Sequence, residues 1–164
     1  MAIKDALLPE FDHEMGTTRR VLERLPEPDF AWKPHEKSMS LGQLAGHLTN
    51  LPTWFALILE RSDFDLASMD RRSKEPLSRN ALLQEFDAKV SAARTCLTQR
   101  SDAEMLAPWT LKNGGHEIFT MPRISAVRGF VMNHSIHHRG QLSVYLRLRN
   151  VPLPSMYGPT ADEE

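Results

Sequence analysis

At 164 residues, with 41% hydrophobic and 25% charged side chains, the chain is long enough to bury a full core without covalent staples. A formal net charge of -1 excludes the broad basic footprint of a nucleic-acid binder, and the single cysteine, Cys96, excludes an intrachain disulfide. The start of the chain has no apolar signal-peptide core and no stretch approaches the ~18 apolar residues of a bilayer span, so a cytoplasmic protein with no membrane and no nucleic-acid partner is expected. The local basic spots, Arg19-Arg20, Arg71-Arg72, Arg147 and Arg149, read as solvated surface.

In chain order, apolar residues at spacings of three and four (Leu7, Phe11, Met15, Val21, Leu22, Leu25) predict a first helix over Ile3 to Leu25. Pro9 falls in its first turns, where a missing N–H costs least, and Pro26 and Pro28 stop it. Phe30-Ala31-Trp32-Lys33-Pro34 reads as an extended link, with Trp32 covering one end of the core. Ser38 or Ser40 caps a second helix. Its apolar face is Leu41, Leu44, Ala45, Leu48, Leu51, Phe55 and Ile58, and Pro52 should kink it. His47 lies on or beside that stripe.

Arg61 to Arg79 is polar, contains Pro76 and reads as a loop. Ser78 caps a third helix over Arg79 to Gln99, built on Leu82, Leu83, Phe86, Val90, Ala93 and Leu97. Cys96 in this helix reads as a small core residue rather than a nucleophile. Between Asp102 and Ser125, the turn signal Asn113-Gly114-Gly115 separates Trp109-Thr110-Leu111 from Ile118-Phe119-Thr120. That pattern fits a small hairpin or, equally, a mobile flap. A fourth helix over Ser125 to Asn150 has a broad inward face of Val127, Phe130, Val131, His134, Ile136, His138, Leu142, Tyr145 and Leu148. The expected fold class is all-α, a four-helix bundle forming a single domain over residues 1–164.

Three of the seven histidines fall within Asn133-His134-Ser135-Ile136-His137-His138-Arg139-Gly140-Gln141-Leu142. On a helix His134 and His138 share one face, one turn apart, while His137 points elsewhere. Two imidazoles so placed can share a metal ion, and His47 on a neighbouring helix is the candidate third ligand. A site with three protein ligands keeps a coordination position open, whereas a closed structural zinc site needs four. The same histidines also fit hydrogen-bonded core positions. Neutral imidazoles suit zinc, nickel, copper or iron, and ligand type does not choose among these. Neither H-E-x-x-H nor paired cysteines occur, so a familiar zinc protease or zinc finger is excluded.

The segment from Met121-Pro122-Arg123 through Asn133–Leu142 to Tyr145-Leu146-Arg147 and Pro152-Leu153-Pro154-Ser155-Met156-Tyr157-Gly158-Pro159 resembles the C-terminal signature of the DinB family. Ser38-Met39-Ser40-Leu41-Gly42-Gln43-Leu44-Ala45-Gly46-His47-Leu48, preceded by Trp32-Lys33-Pro34, resembles that family's second-helix motif. The resemblance implies up-down-down-up connectivity, a homodimer, and a divalent metal held by His47, His134 and His138; zinc or nickel leads, with iron or manganese as alternatives. His137, Arg139 and Gln141 belong to the motif as supporting residues, and Gly140 is expected to allow close helix approach.

What the resemblance implies about activity is a metalloenzyme with a small-molecule substrate: a transferase using a low-molecular-weight thiol, or a metal-dependent hydrolase. The alternative is a non-catalytic metal-binding or stress-response dimer. No catalytic residue is assigned. Glu14 and Asp12, beside His13, are candidate bases only, and Trp54, Trp109 and Tyr145 read as core or cap residues first, with contact to a substrate at the bundle mouth as the second reading. His13, His35 and His116 read as surface.

Overall fold

The computed structural model describes residues 2–69 and 78–163. Helix α1 spans Ile3–Leu22 with Pro9 inside, and the Asp5 carboxylate accepts the Ala2 amide at 2.9 Å to cap it. Its sequence pattern continues to Leu25, which is buried beyond the helix end. A short 3-10 turn, Glu27–Asp29, follows.

The link to the next helix is not simply extended. Phe30 is helical in backbone, and the amides of Leu41 and Gly42 donate to the carbonyls of Trp32 and Phe30, both at 2.9 Å. The link therefore folds back over the start of helix α2 (Leu41–Asn50) and satisfies amides that a helix terminus leaves unpaired. The fold-back needs Gly42: a Cβ there would lie 3.1 Å from the Phe30 Cβ and 3.2 Å from its carbonyl oxygen. Of the two candidate caps Ser40 is the one used, accepting the Gln43 amide at 3.1 Å while the Gln43 side chain accepts the Ser40 amide at 2.9 Å.

Pro52 breaks the second helical stretch into α2, a 3-10 turn (Leu51–Thr53) and α3 (Trp54–Glu60). Helix α4, Arg79–Thr98, is capped by the Ser78 hydroxyl. Helix α5, Asp102–Leu106, is a short element that apolar periodicity does not predict. Arg71-Arg72 and Pro76 lie outside the described residues.

The all-α expectation is corrected here. The fold is mostly helical but carries a small three-stranded sheet in the order β1-β2-β3. Strands β2 (Pro108–Asn113) and β3 (His116–Pro122) pair antiparallel across Gly114 and Gly115, whose φ values of 60° and 82° suit glycine. Strand β1 (Asp63–Asp65) runs parallel to β2, inside the stretch read as a loop. Period-two alternation explains the sheet: Trp109 and Leu111 are buried, while their neighbours Pro108, Thr110 and Lys112 are not. The Asp65 carboxylate accepts the Gly114 and Gly115 amides at 2.9 and 2.7 Å, pinning the hairpin turn to the first strand.

The last helical run is α6 (Arg123–Ser125), a π-helical segment (Ala126–Met132) and α7 (Asn133–Leu148). Helices α1 and α2 each pack on α4 and on α7, and α3 packs on α4. The core between them includes Phe11, Leu22, Leu44, Phe55, Phe86 and Leu142, with Phe11 and Phe55 edge to face at 4.9 Å. Each such side chain contributes roughly 1.5–3 kcal/mol on burial. Two helix-packing expectations fail. Leu148 is 55% exposed rather than inward, and nothing lies within 4 Å of where a Cβ on Gly140 would stand.

Candidate metal centre

Helix α2 presents His47 one turn after Leu44, on the border of its buried stripe, and α7 presents His134 and His138 one above the other. Contact between α2 and α7 brings the three rings together. His47 Nε2 lies 3.2 Å from His134 Nε2, and His134 Nε2 lies 2.8 Å from His138 Nε2. Each of the three offers one ring nitrogen to a cluster whose atoms all lie within 4.8 Å of one another. The outer nitrogen of His138, Nδ1, lies 2.7 Å from Gln141 Oε1.

Burial and mutual charge keep these rings neutral. Burial first, then His138 and His134, pushes His47 down to about 4. His134 is lowered by burial and by His138, an effect opposed by the Phe130 carbonyl. His138 is lowered by burial, opposed by its bond to Gln141. Neutral imidazole is the metal-binding form. Among the described residues, the cluster of metal-ligating atoms is made of these three histidines, with no carboxylate in it.

Aromatic side chains continue from His134, with Phe130, Phe119 and Phe64 half-buried and Trp54 buried. Phe130 lies 6.0 Å from the His134 ring, 5.0 Å from Trp54 and 6.0 Å from Phe119, and Trp54 is 5.4 Å from Phe64. Of the three aromatics read from the sequence, Trp109 is fully buried with its indole N–H on the Leu57 carbonyl at 3.2 Å. Tyr145 instead packs edge on to Trp32 at 5.7 Å.

The candidate bases are engaged elsewhere. Asp12 accepts two bonds from Arg94 at 2.8 and 3.0 Å, and Glu14 is buried against Arg139 and Tyr157. His13, His35 and His116 are exposed, as their contexts suggest. Arg139 supports the fold by bonding α1, donating to the Glu14 carbonyl at 3.0 Å and to the Thr18 hydroxyl at 3.2 Å. Sequence reasoning gave Gln141 only a general supporting role. Its position three residues after His138, on the same helical face, was the available signal.

Comparison with known proteins agrees with this frame. The family model described as DinB family matches residues 1–164. The chain belongs to the DinB family. It is 26% identical over 165 residues to the uncharacterised protein YrdA of Bacillus subtilis, covering 97% of this chain and 90% of that one. It is 21% identical to YjoA of the same organism, covering 90% and 91% respectively. Among solved structures, a DinB-like protein from Bacillus cereus ATCC 10987 superposes with a TM-score of 0.71 at 20% identity, over 95% of this chain and 98% of that one. The crystal structure of YjoA gives 0.70 at 20% identity, over 93% and 99%. These likenesses establish the fold that DinB-family proteins share. Among the described residues, no helix is long and apolar enough to cross a membrane.

Proposed function

We propose that this DinB-family protein binds one divalent metal ion through His47, His134 and His138, and uses that open centre to transfer a group to or from a low-molecular-weight thiol. The convergence of the three Nε2 atoms carries the proposal. A ring nitrogen holds either one proton or one lone pair, so His134 Nε2 cannot make good hydrogen bonds to both neighbours at 3.2 and 2.8 Å. A shared cation satisfies all three lone pairs. Nitrogens bound tetrahedrally at about 2.0–2.1 Å stand about 3.4 Å apart, close to the 3.2 and 2.8 Å separations of these rings.

A bound divalent ion supplies Lewis acidity, which ionises a coordinated thiol or lowers the pKa of a coordinated water. The protein's own part is to hold three neutral donors, to leave the fourth position open, and to wall one side of the site with Phe130, itself backed by Trp54. Three neutral ligands leave the ion's double positive charge uncompensated, which favours an anionic partner such as a thiolate. With no carboxylate in the cluster among the described residues, a nucleophile that arrives as a thiol needs less help than a water awaiting a general base. Hydrolysis is therefore the second choice.

Zinc or nickel is the proposed ion, with iron or manganese as alternatives. On family grounds the same proposal takes residues 1–164 as one domain and the assembly as a cytoplasmic homodimer. The packing of α1 and α2 on both α4 and α7 supports reading the helices as an up-down-down-up four-helix bundle. Cobalt-substituted protein tests the thiol assignment. Its visible spectrum is expected to shift on addition of a low-molecular-weight thiol, and an unchanged spectrum at saturating thiol overturns the assignment.

A further inference from the structure

We propose that Gln141 is a positioning residue for the metal site, holding His138 in the tautomer that turns a bare Nε2 lone pair inward. The inference deepens the metal reading above and rests on it for its purpose, though not for its geometry.

The geometry begins at the outer edge of His138. Its Nδ1 lies 2.7 Å from Gln141 Oε1, a full-strength hydrogen-bond distance. An amide oxygen only accepts, so the proton of this bond belongs to Nδ1 of His138. A neutral imidazole has one ring proton, and with Nδ1 holding it, Nε2 is left as a lone pair. That Nε2 is the atom facing His134 at 2.8 Å. Three residues separate His138 from Gln141, so both side chains rise from one face of α7 and the bond is set by helix geometry.

The carbonyl of Phe130, one turn before His134, favours a proton on that imidazole, whose Nε2 is turned toward His47 and His138.

His138 then directs an unprotonated Nε2 toward His134 Nε2, 2.8 Å away, where a shared cation would take the lone pair. The tautomer lock converts a histidine pair into a chelate. Gln141 differs from the carboxylate often found behind a metal-bound histidine in carrying no charge. It orients the ring without adding negative charge to the centre, which keeps the bound ion electron-poor and receptive to an anionic ligand.

The test begins with metal-free full-length protein. Long-range proton–nitrogen correlation spectra of the imidazoles at neutral pH are expected to show His138 as the Nδ1–H tautomer. Gln141→Leu, at an exposed position, is expected to move His138 toward the Nε2–H form and to weaken zinc binding about 10-fold. Gln141→Glu, which restores an acceptor, is expected to recover the Nδ1–H tautomer. Wild-type His138 found as Nε2–H overturns the proposal, as does a Gln141→Leu variant whose tautomer and zinc affinity both match wild type. A wild-type protein that shows the Nδ1–H tautomer but takes up no zinc supports the positioning by Gln141 and overturns the metal reading instead.

Discussion

The Arg139 guanidinium lies 2.7 Å from the Glu14 carboxylate, with only 1% and 7% of the two side chains exposed. The Tyr157 hydroxyl, from the segment after α7, reaches the same carboxylate at 2.9 and 2.8 Å, so one buried ion pair ties α1, α7 and the C-terminal segment together. Removing one partner of such a pair leaves an uncompensated buried charge, at a cost of roughly 3–5 kcal/mol. Arg139→Met and Glu14→Gln are each expected to lower the unfolding free energy, by up to about that amount. Because the two residues touch, the double variant should lose less than the sum by about 0.5–3 kcal/mol, read from urea unfolding. Strict additivity would show that the pair is not coupled.

Two glycines make opposite predictions. Gly42→Ala puts a Cβ 3.1 Å from the Phe30 Cβ and 3.2 Å from a backbone oxygen, and should destabilise by about 1–3 kcal/mol. Gly140→Ala meets nothing within 4 Å on an exposed helix face, and should stabilise by up to about 1 kcal/mol through helix propensity. Thermal unfolding of the two variants measures both. A Gly140→Ala loss larger than that of Gly42→Ala would contradict the packing described.

Burial, followed by the Glu60 carboxylate, pushes the Cys96 thiol up to about 11, against an opposing effect of Arg100. A thiol with a raised pKa stays protonated, and unreactive, over more of the alkaline range. Alkylation of native protein, followed by mass spectrometry, should therefore be slow at neutral pH and still rising above the ordinary thiol pKa. Glu60→Gln removes one of the two raising effects, so its rate profile should move toward lower pH. A native rate that levels off at the ordinary thiol pKa would contradict this environment.

How much of this was legible in the sequence depended on how local the causes were. His134 and His138 could be paired from helical spacing alone, and His47 could be added because it borders the apolar stripe of Leu44 and Leu51. The caps at Ser40 and Ser78 and the break at Pro52 are likewise short-range signals. Arg139 was harder, because its burial depends on Glu14, distant in sequence, and a charged residue in an amphipathic helix ordinarily faces water. The π-helical segment is silent in the pattern, since Val127 and Val131, four residues apart, fit either helical period. Strand β1 has three residues and exists because β2 lies beside it. Helix α5 had a readable start, the capping box of Ser101 and Glu104, but is too short to show apolar periodicity.

Metal uptake tests the central claim most directly. Metal-free protein titrated with zinc, with nickel in parallel, is expected to bind one ion per chain, and His47→Ala or His134→Ala should weaken that binding by at least about 10-fold while the helical spectrum is retained. Failure of the wild-type protein to bind zinc, nickel, iron or manganese, or binding that is unchanged in both variants, would contradict the three-histidine centre.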